Sequence, residues 1–267
     1  MAAEDMYPSI SIVMPNYNQG HFLEQAIVSL LRQNYPFLEI LVMDGGSTDA
    51  SVDILQQYDE AIHWVSEPDN GQTDALNKGF RQASGDIIGF LNADDILLPG
   101  TLWGVAELFR QYPETIWVTG EYDVIDSHGQ SRDQLVRLYK RAQRDVVQWF
   151  PRLFSFVLGV NNPYIQPSTF WRREVHTEVG YLREDLDLVM DYEWWWRLYQ
   201  AYGAPKIVPF VWSLFRVHED SKGGQFFGQR LAEQWRVAQE YQVPRWQLML
   251  HRFHNQVVTW MYSRGIS

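Results

Sequence analysis

Two adjacent carboxylates, Asp94 and Asp95, end the apolar run Gly85-Asp86-Ile87-Ile88-Gly89-Phe90-Leu91-Asn92-Ala93. Like charges side by side repel, and a bound cation is the chemistry that such a pair serves. Mg²⁺ and Mn²⁺ take oxygen ligands, and Mg²⁺ is commonly held by one or two protein carboxylates while substrate phosphates complete its shell. The pair equally fits a helix start, with Asp94 or Asp95 capping the helix that Pro99 and Leu102 to Phe109 predict. A second group, Met43-Asp44-Gly45-Gly46-Ser47-Thr48-Asp49, has two glycines that permit close backbone approach to a ligand. Its Asp44 can accept hydrogen bonds from a base imide or a ribose hydroxyl; a plain turn with Ser47 or Thr48 as N-cap is the alternative. A third, Asp69 to Gly79, sets Asp74 and Lys78 four apart on one helical face, either to present a cation to a phosphate or as a surface pair.

These groups need a scaffold that gathers them. From Ser9 onward strand and helix patterns alternate: strands over Ile10 to Met14, Leu38 to Met43, Ile62 to Ser66 and Ile87 to Leu91, with helices over Gly20 to Gln33, Ala50 to Tyr58 and Thr73 to Ala83 between them. That rhythm predicts an α/β fold, a Rossmann-like, mostly parallel sheet with helices on both faces. The loops after the strands, Pro15-Asn16-Tyr17-Asn18 included, then share the carboxyl edge, where open α/β sheets bind ligands. Trp117 to Ile125 reads as a further strand, and the polar stretch Ser127 to Arg144 as an excursion. We expect one domain with two functional halves: residues 1–125 to hold a nucleotide and 126–267 to shape a second substrate's site. A final helix, Pro244 to Ser263, mixes Trp246, Leu248, Met249, Phe253, Val257, Trp260 and Met261 with Arg245, His251 and Arg252. Packing on its own domain, a membrane surface or a homodimer contact would each suit it.

Composition narrows the classes. The 267 residues carry a formal charge of −11 and no cysteine, which disfavours nucleic acid as a partner and excludes disulfides and thiolate chemistry. Met1 to Pro8 lacks a signal peptide's segments and no stretch reaches membrane-spanning length, so a cytoplasmic protein is expected, with peripheral contact at the inner membrane face the variant that the last helix suggests. The chain has 12 tryptophans, most of them expected in the core. Gly-x-Gly-x-x-Gly, Gly-x-x-x-x-Gly-Lys and His-Glu-x-x-His are absent, and His251 and His254, three apart, are expected on a helix surface rather than on a metal.

In combination and order these motifs resemble the nucleotide-sugar glycosyltransferases of family 2, which have the GT-A fold. Ile12 to Asn18 resembles the family's opening strand and loop, Asp44 to Asp49 its second nucleotide loop, and Asn92-Ala93-Asp94-Asp95 its metal motif, with Asn92 in place of the first acid. The resemblance implies an inverting transferase that moves a sugar from a UDP-type donor to a hydroxyl of a glycan or lipid-linked acceptor. It implies donor contacts from Pro15, Asn16, Tyr17, Asn18, Asp44, Gly45, Asp74, Lys78, Asn92, Ala93 and Asp94, and Mn²⁺ or Mg²⁺ on Asp94 and Asp95. Met190-Asp191-Tyr192-Glu193 resembles the family's acidic motif, which makes Asp191 the catalytic base and Glu193 its rival and acceptor contact. Phe215 to Lys222 resembles the segment whose histidine, here His218, completes the metal shell or contacts the diphosphate, with Arg216 and Lys222 offsetting phosphate charge. Gln166 and Ser168 match an acceptor-lining strand. A sugar nucleotidyltransferase would need a glycine-rich first loop, which Pro15 to Gln19 is not. A non-catalytic sugar-nucleotide or glycan binding protein would have lost the acids present here.

Overall fold

The computed structural model describes residues 7–132, 142, 145–147, 149–162, 164–219, 221 and 226–263. β1 (Ile10–Asn16), β2 (Leu38–Asp44) and β4 (Ile87–Phe90) are almost wholly buried. Covered on both faces, such strands have no polar side, hence sequences rich in Val, Ile, Leu and Met, with the Ser11 hydroxyl tied to Glu39. β3 (His63–Ser66) takes the outer edge and is correspondingly exposed. β1 pairs in parallel with β2 and β4, and β2 with β3. The crossovers are α1 (Gly20–Leu31), α2 (Ser51–Gln57) and α3 (Gln72–Gln82). Register sets Asn16, Asp44 and Ser66 side by side at the carboxyl ends. Pro15 is accommodated in β1 because β4 stops at Phe90, opposite Val13, so its missing N–H breaks no ladder bond there.

The second half adds β5 (Ile96–Leu97), α4 (Thr101–Gln111), β6 (Trp117–Ile125), β7 (Ser131–Arg132), α5 (Phe154–Val160), β8 (Thr169–Arg172), α6 (Val175–Glu178), α7 (Met190–Tyr202), β9 (Lys206–Arg216), α8 (Phe227–Glu240) and α9 (Arg245–Ser263). Strand order is β3-β2-β1-β4-β8-β6-β9-β5, with β7 on β6. β8 runs antiparallel to both neighbours, while β6 and β9 are parallel. One sheet thus serves both halves, mostly parallel as predicted.

Two local results differ from the pattern reading. β5 pairs with β9 immediately after Asp95, and α4 begins only behind Gly100, whose φ of 80° favours glycine. Neither Asp94 nor Asp95 therefore caps a helix. Of the excursion after Ser127, β7 returns onto β6, and residues 133–141 and 143–144 lie outside the described residues.

The tryptophans are mainly core, as expected: Trp171, Trp194 and Trp195 are fully buried, and Trp117 stacks on Trp195 at 5.7 Å. Trp149 and Trp246 are exposed. α9 packs on its own domain through Gln247, Leu248 and His251. Gln247 Nε2 donates to the carbonyls of Ser155 (3.1 Å) and Phe156 (2.8 Å) in α5. His251 corrects the surface reading, since it is fully buried with Nδ1 3.1 Å from the Gly159 carbonyl. The segment before α7 is bolted to α3: Thr73 Oγ1 donates to the Leu186 carbonyl (3.0 Å), and Asn77 exchanges hydrogen bonds of 2.9 and 3.0 Å with the Leu182 backbone.

Candidate active site

At the carboxyl edge the first two loops are stitched together around Asp44. Its Oδ1 accepts from Asn16 Nδ2 (2.6 Å) and Ser47 Oγ (2.5 Å), and its Oδ2 from Ser66 Oγ (2.6 Å) and the backbone N–H groups of Ser47 (3.0 Å) and Gly46 (3.2 Å). Burial acts to raise its pKa, and these hydrogen bonds outweigh it, so the carboxyl titrates below its usual range. Asp44 is thus the buried organiser of the loops, with both oxygens engaged internally. Asn18, at φ 53°, accepts from the Thr48 N–H at 2.8 Å, and Asp49 accepts from the N–H groups of Gly20 (2.8 Å) and Ser51 (2.9 Å); neither Ser47 nor Thr48 caps α2, which starts behind Ala50. Pro15 and Asn16 are buried, whereas Tyr17 stands 61% exposed over this edge.

Beside Asp44 lies a pocket of about 110 Å³ lined by Met43, Asp44, Val65, Glu67, Asp69, Ala75, Lys78 and Gln82. Gly45 forms its tight rim, since a Cβ there would come within 2.6 Å of Asp69 Oδ2. Lys78 is paired with Glu67 (3.1 Å) and Asp74 (3.5 Å), and Asp74 also accepts the Asn70 N–H at 3.0 Å, so the cation is locally balanced before any phosphate arrives. Glu67 and Gln82 were not singled out in the sequence, whereas Asp69 opens the third group; the signal for Glu67 was its place just past the carboxyl end of β3.

The acidic motif splits. Asp95 is fully buried, its Oδ1 accepting the Arg216 N–H (2.9 Å) and its Oδ2 facing Asn92 Nδ2 (3.3 Å). Burial and the neighbouring Asp94 charge push its pKa well up. Asp95 is thus a buried anchor of the motif to β9, against the expectation that it pairs with Asp94 as an open ligand. Asp94 turns the other way: its Oδ2 lies 3.0 Å from His218 Nε2, across 124 residues of chain. Asn92 accepts from Gln72 Nε2 at 2.8 Å, which ties the motif to the start of α3. Ala93 is buried between them. One carboxylate and one imidazole suit Mn²⁺, and two protein ligands leave positions for a diphosphate, so the residues present fit a divalent ion. Among the described residues no cluster of three or more metal-ligating side chains occurs. Arg216 is corrected too: 2% exposed, it is a buried tie spent on backbone carbonyls. Lys222 lies outside the described residues.

Asp191 sits in the first turn of α7, partly open to solvent, with Oδ1 accepting the Tyr192 N–H (2.6 Å) and Oδ2 accepting Asn162 Nδ2 (3.4 Å). Burial pushes its pKa up to about 6, against the pull of these bonds and of the Arg230 charge. Asn162 and Arg230 carried no signal in the sequence. The other acids and hydroxyls assigned to an acceptor are turned inward. Glu193, 1% exposed, accepts on Oε2 from Arg197 Nε (3.0 Å) and Nη2 (2.8 Å) and on Oε1 from Tyr241 OH (2.8 Å). Ser168, fully buried, donates to the Glu121 carbonyl (2.9 Å) and shares a 2.6 Å bond with Ser213 Oγ. Both are structural, which removes Glu193 as rival base. Gln166 is buried in the 3-10 turn before β8, 8% exposed.

A model of the family described as Glycosyl transferase family 2 matches residues 11–179. The chain belongs to glycosyl transferase family 2. Among family relatives, an uncharacterised glycosyltransferase of Nostoc sp. is 33% identical over 177 residues, 64% of this chain and 52% of that one. An uncharacterised glycosyltransferase of Rickettsia prowazekii is 26% identical over 73% of this chain and 59% of its own. This chain therefore spans a little over half the length of such relatives. TarS 1–349 of S. aureus, solved in complex with UDP-GlcNAc, superposes with a TM-score of 0.64 at 15% identity, over 87% of this chain and 71% of that one. The mannosyltransferase PcManGT of Pyrobaculum calidifontis, in complex with GDP-Man and Mn²⁺, gives 0.62 at 18% identity, over 92% and 74%. At those identities the likeness establishes the glycosyl transferase family 2 fold, GT-A, and nothing further.

Proposed function

We propose that this chain is an inverting glycosyltransferase that moves one sugar from a nucleoside-diphosphate donor, of the UDP type, to a hydroxyl of a glycan or lipid-linked glycan. The observation that carries the reading is the Asp94 and His218 contact at 3.0 Å, placed on the sheet edge that also bears the pocket beside Asp44. Residues 1–125 serve the donor and 126–267 bring the base and the acceptor. The base enters the pocket between β2, β3 and α3, and Tyr17 supplies an exposed aromatic face. Pro15, Asn16, Asn18, Asp44 and Gly45 shape that pocket, while Asp74, Lys78 and Asn92 set its charge and position. Asp94 and His218 hold Mn²⁺ or Mg²⁺, which when bound offers Lewis-acid stabilisation to the leaving diphosphate.

Asp191 takes the acceptor proton as the acceptor oxygen attacks the anomeric carbon from the face opposite the diphosphate, whose bond to that carbon breaks. Asn162 and the Tyr192 N–H aim the carboxylate. Gln166 lies near enough in the chain to the β8 edge to line the acceptor side. A B. subtilis chain named for teichuronic acid biosynthesis, TuaG, is 40% identical over 92 residues, 33% of this chain and 36% of its own, which favours polysaccharide synthesis as the setting.

Thermal unfolding with UDP, GDP, dTDP and CDP, each with and without Mn²⁺, tests the donor site. One nucleotide held at about 100 times its dissociation constant should add roughly 2.7 kcal/mol with Mn²⁺ present, and His218→Ala should lose the metal-dependent part. No rise with any nucleotide overturns the reading. Tyr17→Ala should weaken binding of that nucleotide by about 1–3 kcal/mol, as loss of a base-stacking ring does, and leave the unliganded melting temperature unchanged.

A further inference from the structure

We propose that the outward face of α9 is a docking surface for an anionic lipid bilayer, on which the helix lies flat. Its inner face is already filled, with Gln247, Leu248 and His251 buried against α5. A surface helix seated this way ordinarily turns polar residues outward. Here Trp246, Met249, Leu250, Phe253 and Val257 are 55%, 67%, 42%, 64% and 39% exposed, and their spacing of three and four puts them on one stripe. Scattered apolar exposures need no explanation, but a continuous stripe marks a contact surface.

Charge identifies what covers it. From Pro244 to Ser263 the chain has Arg245 and Arg252 and no acid, although the whole carries −11. Arg245 and Arg252, both exposed, precede Trp246 and Phe253 by one residue each and so run as a basic row beside the stripe. Apolar side chains can enter the boundary of headgroups and acyl chains while the arginines meet lipid phosphates. An isologous pairing with a second copy would bring this basic row against itself. The acidic remainder of the molecule is repelled by the same surface, which fixes the orientation. No helix among the described residues is long and apolar enough to cross a membrane, so the contact is interfacial.

Docking has a direction that matters to the site. α5 lies between α9 and Asp191: it receives Gln247 and His251 on one side, and just beyond its end Asn162 donates to Asp191. A bilayer under α9 would thus hold lipid-borne molecules on the acceptor side. The binding itself does not depend on the catalytic reading and is measured without turnover.

The test is flotation of the full chain with vesicles of phosphatidylcholine alone and of phosphatidylcholine with phosphatidylglycerol. Binding to the anionic vesicles only, weakened by added salt, is the expected result. Met249→Ser with Phe253→Ser should abolish it, and Arg245→Gln with Arg252→Gln should lower it about fivefold per arginine, all with unchanged melting temperature because the side chains are exposed. Equal binding to neutral vesicles, no binding to either, or indifference to these substitutions overturns the proposal. A dimer in light scattering that the Phe253 variant dissolves, without vesicle binding, assigns the face to a second copy instead.

Discussion

Asp191→Asn is expected to lower the rate of sugar transfer by about 10²- to 10⁴-fold while donor binding persists, because the amide keeps the shape and cannot accept the acceptor's proton. In the unaltered chain kcat/KM should fall about tenfold per pH unit below pH 6, following the carboxyl whose pKa burial pushes up to about 6. Stability should move the other way. A carboxyl whose folded pKa is raised loses nothing below its unfolded value near 4 and is penalised as pH rises through 6, since the charged form is the one that the site desolvates. Asp191→Asn should therefore be the more stable protein above pH 6, by on the order of 2–3 kcal/mol, with the difference vanishing near pH 4. Transfer assays and urea unfolding across this range check both halves. Retained transfer in the variant rejects Asp191 as base; equal stability at pH 8 rejects its desolvation as the cause of the shift.

Arg216→Met should destabilise the fold by about 3–5 kcal/mol, the range for removing one partner of a buried charged network. The guanidinium donates to the carbonyls of Asp94 (2.8 Å), Asp126 (3.2 Å) and Ser127 (3.4 Å) and to Gln25 Oε1 (2.9 Å), and lies over the Phe22 ring at 4.6 Å. Methionine fills the space and supplies none of these donors, and Asp94 and Asp95 lose their nearest positive charge. Arg216→Lys should rescue little, since one ammonium cannot reach in the four directions that a planar fork serves. Urea titration should show a lower midpoint with an unchanged slope. A loss under about 1 kcal/mol would show that water replaces the guanidinium and that the tie is dispensable.

The scaffold was legible because its signal is local. Apolar runs placed β1, β2 and β4 nearly to the residue, β-branched and aromatic residues placed β6, and the loops after β1 and β2 fell on one edge as parallel strands require. β5 was not legible, since two residues become a strand only through Leu214 and Ser213, more than a hundred positions away. The site residues divide along the same line. Motif order singled out Asp94, His218 and Asp191 as candidates, but which way a side chain turns depends on what the third dimension brings up behind it. Asp94 and Asp95 look alike in sequence; β9 delivers the Arg216 N–H to one of them and His218 to the other. Glu193 illustrates a readable signal passed over, because Arg197 follows it by four, the spacing of a helical ion pair. Asp44 illustrates an unreadable one, as only register reveals Asn16 and Ser66 beside it.

The 124 residues separating Asp94 from His218 also set a clock. At roughly 5–20 residues per second of synthesis, a nascent chain holds the first member of this pair for about 6–25 s before the second is made. For most of that interval β9 is also missing, so β6 once made lacks its parallel partner and Asp95 lacks Arg216. The Asp94 and His218 pair proposed to hold the cation is then incomplete, so a metal cannot act through it as a template for the early strands. The pairing of Asp94 with His218 forms at the end of folding, and a chain stalled before β9 would present exposed strand edges to the chaperones.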